Sequence, residues 1–248
     1  MSQGQLAPAD VVIIGGGIQG LSLAYNLARR GLTDVCLLEM NELGSGSSGR
    51  SAAIVGYPFV SENCLPLVHL SFNAWMRFEE EVGAEPGYEP IGCLVLAGPR
   101  EAPGLRRRHA LLRDMGVDSE LLSPDAIEYL TPRLNLSDVE IGLYNAREGG
   151  LDPHSIMMAY AGYARRHRLR IVEGARATGL EIDGGRVAGV CTTIGTIATP
   201  CVVNAAGFGA RQVAGWAGME LPIVNMKRHI FCTGPVDAYA RSIPFTYQ

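Results

Sequence analysis

The chain has 248 residues, of which 47% are hydrophobic and 19% are charged, and its formal net charge at pH 7 is −4. This balance is typical of a globular protein with a sizeable core, and it excludes the strongly basic surface that nucleic-acid binding requires. The six cysteines form no C-x-x-C pair, and four of them lie in apolar, strand-like runs. We therefore expect buried, reduced thiols, no metal site and a cytoplasmic protein.

The N-terminal residues are polar and do not resemble a secretory signal, and no apolar run approaches the roughly 20 residues of a membrane span. We expect no membrane insertion. An apolar run then ends at Ile14 and is followed by closely spaced glycines. The run predicts a buried parallel strand, and residues 18–30 predict a helix.

The spacing of three glycines points to a dinucleotide-binding turn. Gly15 permits the sharp turn, Gly17 lets a pyrophosphate approach the backbone, and Gly20 lets the helix pack closely on the strand. The N–H groups at the start of the helix favour an anion. A glycine-rich turn without a ligand is the alternative.

A second apolar run, residues 35–38, leads into Glu39, which lies nineteen residues after Gly20. A carboxylate at this position accepts a hydrogen bond from a ribose 2′-hydroxyl and repels a 2′-phosphate, which disfavours NADP. Residues 44–53, rich in glycine and serine, are either a flexible linker or a loop that wraps a polar ligand. Their position directly after a nucleotide-binding strand favours the loop.

The middle of the chain predicts helices and one strand. The predicted helices are 67–82, 105–115, 124–131 and 153–167, and the strand is 141–144. Ser123 and Asp152 suit N-cap positions, because each precedes a proline that is favoured at the first helical position. Trp75 and Phe78 are expected in the core. His154 is expected to face solvent, with a catalytic role as the alternative.

The last part of the chain predicts short strands and a return to the parallel sheet. The predicted strands 169–172, 178–182, 187–191 and 196–198 are interpreted as a β-meander joined by glycine turns. The apolar run 201–207 is expected to rejoin the parallel sheet, and its small residues allow a ligand to come close.

Taken together, these segments resemble the FAD-dependent amine and amino-acid oxidoreductases of the D-amino-acid oxidase superfamily, in the branch with sarcosine oxidase, glycine oxidase and D-amino-acid dehydrogenases. The matching motifs are Gly15-x-Gly17-x-x-Gly20 with Glu39, residues 46–53, Gly150-x-Asp152-Pro153, residues 204–207, and residues 221–228. The resemblance implies an α/β fold with a discontinuous Rossmann-type FAD-binding domain, residues 1–56 and 146–216. An interleaved mixed-sheet substrate domain would comprise residues 57–145 and 217–248.

The resemblance also implies which residues bind FAD. The pyrophosphate would be held by Gly15, Gly17, Ile18 and Gly20, and the adenosine ribose by Glu39. The residues that would wrap the diphosphate and reach the flavin edge are Ser47, Ser48, Gly49, Arg50, Ser51, Ala52 and Ala53. The adenine would meet the backbone near Ala177, and Ala205, Ala206 and Gly207 would pass beside the cofactor. Relatives with covalent flavin carry a histidine where this sequence has Ser51, so we predict non-covalent FAD.

The chemistry implied is hydride transfer to the flavin from the carbon next to nitrogen of a small-molecule amine or amino acid, which gives an imine that water hydrolyses. The candidate pocket residues are Tyr57, His69, Lys227, Arg228 and His229. Arg228 is suited to clamp a carboxylate, and surface or packing roles are the alternative for all of them.

Members of this family continue well beyond the position of Gln248, with a segment that completes the substrate sheet. We therefore expect a fragment, a truncated product or a subunit completed by a partner polypeptide. Two alternatives to amine oxidation stay open at this point. One is a catalytically incomplete chain that binds FAD or a partner, and the other is flavin-dependent oxidation of a hydroxy acid or glycerol phosphate.

Overall fold

The computed structural model describes residues 4–58, 60–234, 236 and 243–248. In this part of the chain, the helices are α1 (Ile18–Arg29), α2 (Leu65–Met76), α3 (Phe78–Val82), α4 (Ala102–Asp114), α5 (Pro124–Leu130), α6 (Pro153–Arg166) and α7 (Ala210–Trp216). Short 3-10 turns are Ser48–Arg50, Glu62–Cys64 and Gly207–Gly209. The strands are β1 (Gln5–Leu6), β2 (Val11–Ile14), β3 (Val35–Leu38), β4 (Ile54–Val55), β5 (Cys93–Ala97), β6 (Glu120–Leu122), β7 (Ile141–Asn145), β8 (Gly149–Gly150), β9 (Arg170–Val172), β10 (Ala177–Asp183), β11 (Arg186–Thr192), β12 (Gly195–Ala198), β13 (Val202–Asn204) and β14 (Phe245–Tyr247).

The chain forms two compact units, each assembled from segments that are separate in sequence. The first unit comprises Met1–Ser51, Glu79–Glu85 and Pro153–His229, and the second comprises Ala52–Phe78, Pro86–Asp152 and Ile230–Gln248. Helices and several sheets are present, so the predicted α/β fold class is confirmed. The assignment of FAD binding to one part and substrate binding to the other, with the boundaries given above, stays a prediction.

A four-stranded parallel sheet in the order β13-β2-β3-β9 lies in the first unit. β2 and β3 consist of apolar residues and are almost wholly buried, as expected for parallel strands covered on both faces. α1 follows β2 and buries residues at helical spacing, including Leu21, Ala24 and Ala28. The predicted strand, turn, helix and strand at the N-terminus are confirmed, as is the return of residues 202–204 to this sheet.

The assignment of residues 169–172 to the meander is wrong. This strand, β9, pairs in parallel with β3, with Ile171 opposite Leu37. The reason is the preceding helix α6, which carries the chain across the sheet, so that the next strand enters parallel to its neighbour. The meander consists of β10, β11 and β12, and β1 adds to β12 in parallel.

The second unit contains the sheet β14-β5-β7-β6 and the small antiparallel pair β4-β8. The predicted helix 67–82 is divided into α2 and α3, and Leu67 and Leu70 are each 67% exposed. The buried residues of α2 are Leu65 and Phe72, which lie seven positions apart on another helix face. Both faces carry leucine, so the sequence pattern did not distinguish them.

Several local predictions are confirmed, each for residues within one of the two units. Phe78 is 2% exposed, and Trp75 packs against the core of the second unit. The hydroxyl of Ser123 accepts a hydrogen bond from the Ala126 N–H at 3.4 Å, which caps α5. His154 is exposed in the first turn of α6.

The six cysteines are free thiols, but they are not uniformly buried. Cys36 and Cys93 are buried and Cys191 is half-buried, whereas Cys64, Cys201 and Cys232 are exposed, which corrects the expectation of burial for these three residues. Cys201 precedes β13, outside the sheet interior, and Cys232 lies in a segment without regular secondary structure. Over the described residues, there is no cluster of metal-ligating side chains and no helix long and apolar enough to cross a membrane.

Candidate functional site

The turn between β2 and α1 is packed so tightly that only glycine fits. Gly15 has a φ of +119°, and a Cβ placed there would lie 2.3 Å from the carbonyl oxygen of Ala205. A Cβ on Gly20 would lie 1.9 Å from the carbonyl oxygen of Gly15. Both distances are far shorter than a van der Waals contact, so a side chain does not fit at either position. The two glycines thus allow the backbones of β2, α1 and residues 205–207 to pack against one another.

The carboxylate of Glu39 fixes the end of β3 beside this turn. Glu39 is 9% exposed, and its two oxygens accept hydrogen bonds from the backbone N–H groups of Gly16 at 2.8 Å and Asn41 at 2.9 Å. An ionised carboxylate offers about four acceptor positions, so these two bonds leave capacity for a ligand hydroxyl. A contact with ribose stays a prediction.

The glycine- and serine-rich loop is tied to the start of α1. The Ser48 hydroxyl accepts a hydrogen bond from the N–H of Ile18 at 3.0 Å, and the N–H of Gly44 donates to the carbonyl of Gly16 at 3.0 Å. The N–H of Gly49 closes the loop by donating to the Gly44 carbonyl at 3.0 Å. These bonds show an ordered loop beside the helix N-terminus and contradict the linker alternative.

Two cavities lie along this region of the first unit, with volumes of about 490 Å³ and about 190 Å³. They share the lining residues Gly15, Glu39, Met40, Ala206 and Phe208, and we call them together the groove. The larger cavity extends past Ala177 to α7, and the smaller one extends along residues 45–50. A ligand that occupied both cavities would therefore pass the glycine turn and the N-terminus of α1.

Most of the predicted cofactor-binding residues line the groove. They are Gly15, Gly17, Ile18, Glu39, Ser47, Ser48, Arg50, Ala177, Ala205, Ala206 and Gly207. Gly20 and Gly49 instead allow close backbone packing, because a Cβ on Gly49 would lie 2.5 Å from the Gly44 carbonyl oxygen. Ser51 is exposed in the first unit, and Ala52 and Ala53 belong to the second unit. The sequence reasoning missed Phe208 and the face of α7 formed by Gln212, Val213 and Trp216.

Residues 10–247 match the model of a protein family described as DAO, FAD dependent oxidoreductase. The chain belongs to this family. It is 33% identical over 240 residues to the mitochondrial dimethylglycine dehydrogenase of Rattus norvegicus, an alignment that covers 95% of this chain and 28% of the relative. It is 33% identical over 220 residues to sarcosine oxidase subunit beta of Rhizobium meliloti (strain 1021), covering 86% and 53%.

A solved structure of L-amino acid deaminase from Proteus myxofaciens has the same fold, with a TM-score of 0.78 and 28% identity over 89% of this chain and 51% of that chain. The chain therefore spans between about a quarter and about half of the length of these three family members. The recognition of the family from its motifs is confirmed.

FAD is the cofactor of this family, and the groove fits the chemistry of a dinucleotide. The first turn of α1 carries no acidic residue that would compete with a phosphate for its N–H groups, although the N–H of Ile18 already donates to the Ser48 hydroxyl oxygen. The atom nearest to a Cβ built on Gly17 is the Ser48 hydroxyl oxygen, at 3.1 Å. Backbone N–H groups, a hydroxyl and a nearby carboxylate are thus available without an intervening side chain at Gly17.

The candidate substrate residues have identifiable structural contacts. Tyr57 is 2% exposed, and its hydroxyl is hydrogen-bonded to Nδ1 of His69 at 3.0 Å. Nε2 of His69 is hydrogen-bonded to the side-chain amide of Asn73 at 3.1 Å. The other three candidates are exposed and lie in a segment of the first unit without regular secondary structure: Lys227, Arg228 and His229. Their roles in substrate binding stay predictions.

A buried carboxyl group in the second unit was missed by the sequence reasoning. Glu148 is 3% exposed, its Oε1 accepts a hydrogen bond from the N–H of Tyr57 at 3.2 Å, and the thiol of Cys93 is also bonded to it. Burial raises the pKa of Glu148 to about 7, although the hydrogen bonds from Tyr57 and Cys93 act in the opposite direction. A Cβ on Gly56 would lie 2.2 Å from Oε2 of this carboxyl, so Gly56 leaves room for it.

Arg108 completes this cluster from α4. Its guanidinium donates hydrogen bonds to the carbonyl oxygens of Tyr57 at 2.6 Å and Val60 at 2.7 Å. Burial lowers the pKa of Arg108, and burial followed by the charge of Glu148 raises the pKa of the Cys93 thiol. The cluster therefore holds the backbone around Tyr57 from both sides, and Cys93 is an inert thiol.

Proposed function

We propose that this chain binds FAD non-covalently in the groove and forms the cofactor-binding part of an enzyme that oxidises an amine or amino acid at the carbon next to nitrogen. One observation carries the proposal: the N-terminus of α1, the hydroxyl of Ser48 and the carboxylate of Glu39 all line the smaller cavity of the groove. These groups suit a pyrophosphate joined to a ribose.

In this proposal, the first turn of α1 and the Ser48 hydroxyl donate hydrogen bonds to the pyrophosphate, and Glu39 accepts a hydrogen bond from the adenosine ribose. The small residues 205–207 let the cofactor lie against the end of β13. The other residues assigned to the cofactor are Gly17, Gly20, Ser47, Gly49, Arg50, Ser51, Ala52, Ala53 and Ala177. Nothing in this set requires a covalent bond to the flavin.

When bound, FAD supplies the acceptor for a hydride from the carbon next to nitrogen. The nitrogen lone pair forms the C=N bond as the C–H bond breaks, and water then hydrolyses the imine. An amine that arrives deprotonated needs no strong general base, so the chain has chiefly to orient the substrate. We assign carboxylate binding to Arg228, whose planar guanidinium suits a bidentate contact.

The names of the relatives indicate the substrate class. Dimethylglycine, sarcosine and L-amino acids share an amine nitrogen, free or N-methylated, and a carboxylate, and they are the compounds named for the three family members compared above. We propose a substrate with both groups. A hydroxy acid lacks the nitrogen and is the competing class.

The first experiment is an absorption spectrum of the purified chain after addition of FAD and removal of the excess. We expect a flavin spectrum, and we expect heat denaturation to release all of the flavin into the supernatant. A colourless protein that does not take up FAD contradicts the proposed function, and flavin retained by the precipitate contradicts non-covalent binding. Anaerobic addition of sarcosine, dimethylglycine, amino acids, a hydroxy acid and glycerol 3-phosphate then tests the substrate class by flavin bleaching.

A second candidate function is FAD binding without turnover by this chain alone. It is favoured by the burial of Tyr57 and by the hydrogen bonds that occupy both ring nitrogens of His69, which leave these two residues in structural roles. Retained flavin that no substrate bleaches supports it. One relative is named as a subunit, so addition of a partner polypeptide would then be the next test.

A further inference from the structure

Phe208 lies in the groove with 54% of its surface exposed to solvent. It belongs to the turn Gly207–Gly209 and is one of the residues that line both cavities. A phenyl ring left in water forgoes the stabilisation that burial gives. An exposed aromatic residue within a concave, partly polar groove is typical of a surface that a ligand covers.

The backbone of Phe208 is held in place from both sides. The N–H of Gly209 donates to the carbonyl of Ala206 at 2.9 Å, and the side-chain amide of Asn225 donates to the carbonyl of Phe208 at 2.9 Å. The ring therefore changes position chiefly by rotation about its side-chain bonds. Its neighbours in the chain, Gly207 and Gly209, carry no side chains that would obstruct this rotation.

The ring faces the loop that lies beside the N-terminus of α1. A Cβ built on Gly46 would have the Cε1 atom of Phe208 as its nearest neighbour, at 4.0 Å. Gly46 lines the smaller cavity, whereas Trp216 and Val213 line the larger one. Phe208 thus stands where the part of the groove near the loop meets the part near α7.

We propose that Phe208 is a cofactor-retention residue, whose ring packs on the part of FAD that passes from one cavity to the other and rotates away to admit or release it. This role rests on the proposed binding of FAD in the groove. It explains why an apolar side chain is kept exposed beside Glu39 and the pyrophosphate-binding turn. It also predicts that the ring affects release of the cofactor more than its entry.

The experiment measures FAD binding to the apo chain by quenching of flavin fluorescence, together with the dissociation rate. We expect Phe208→Ala to raise the Kd at least about tenfold, chiefly through faster dissociation, and Phe208→Leu to stay within about threefold of the wild type because it retains an apolar cover. Phe231→Ala, at a phenylalanine that is 90% exposed in the second unit, is the matched control and should leave the Kd unchanged.

AMP, measured as a competitor of FAD, tests the position of the ring. AMP ends at its single phosphate and lacks the rest of FAD, which would continue beside Gly46, where the Phe208 ring faces the loop, so we expect Phe208→Ala to weaken AMP binding by less than about threefold. An equal loss for AMP and FAD, or an unchanged dissociation rate of FAD, overturns the proposed role of Phe208. If the wild-type chain binds no FAD, the proposed function fails as well, whereas wild-type affinity in the folded Phe208→Ala variant refutes the role of Phe208 alone.

Discussion

Glu148→Gln should change how the stability of the second unit depends on pH. Burial raises the pKa of Glu148 from 4.5 to about 7, and each pKa unit corresponds to about 1.4 kcal/mol, so folding favours the protonated form by about 3 kcal/mol. This stabilisation is fully present below the unfolded pKa and is lost as the pH rises through the folded pKa. Glutamine is neutral throughout and still offers an acceptor to the N–H of Tyr57.

The expected result is therefore a difference between wild type and variant that grows with pH. Near pH 5, just above the unfolded pKa, the two free energies of unfolding should differ by no more than about 1 kcal/mol, and near pH 8.5 the variant should be more stable than the wild type by about 3 kcal/mol. Urea denaturation gives these values, and Trp75 fluorescence in a Trp216→Phe background reports on the second unit, because the chain has two tryptophans.

Glu89→Gln is the matched control, because Glu89 is exposed and lies in the same unit. It removes the same charge without removing a buried carboxyl and should leave the pH dependence unchanged. Parallel stability curves for wild type and Glu148→Gln between pH 5 and pH 8.5 would refute the reasoning, because they would mean that Glu148 is not held in a site that disfavours its charge.

Two further substitutions test the turn before α1, each with a matched control. Gly20→Ala places a Cβ 1.9 Å from the carbonyl oxygen of Gly15 and should lower the free energy of unfolding by about 3 kcal/mol in urea denaturation. Gly215→Ala, whose Cβ would meet no atom within 4 Å beyond its chain neighbours and the backbone of its own helix, should raise it by about 0.5 kcal/mol. Ser48→Ala removes the acceptor for the first amide of α1 and should cost about 1 kcal/mol and weaken FAD binding several-fold, while Ser71→Ala, at an exposed helical serine in the second unit, should leave FAD binding unchanged. Equal effects within either pair contradict the assigned role of the turn.

The sequence predicted the elements whose signals are local. The apolar runs before Gly15 and Glu39, the glycine spacing and the helical period after Ile18 lie within about thirty residues, and each one constrains the same strand-turn-helix-strand unit. The N-cap at Ser123 is likewise a property of adjacent residues. The family was recognisable because several such motifs occur in a fixed order along the chain.

Tertiary structure decided which elements pair and which faces are buried. β9 joined the parallel sheet because α6 carries the chain across it, a connection that the spacing of residues 169–172 does not encode. α2 buried the face with Leu65 and Phe72, although Leu67 and Leu70 form an equally apolar stripe on the exposed side. The hydrophobic period and the composition do not predict which of two apolar faces of one helix is buried.

The groove and the Glu148 cluster also contain both kinds of residue, those predictable from local sequence and those brought together only by folding. The glycine turn, Ser48 and Glu39 were predicted as cofactor-binding residues from the sequence, and the structure brings them to one groove. The lining by Phe208 and α7, and the burial of Glu148 against Tyr57 and Cys93, join residues that are distant in sequence and follow no periodic pattern. Short-range signals therefore determined the glycine turn. Long-range packing, which sets burial and thus the pKa of a carboxyl group, was decided only by the tertiary structure.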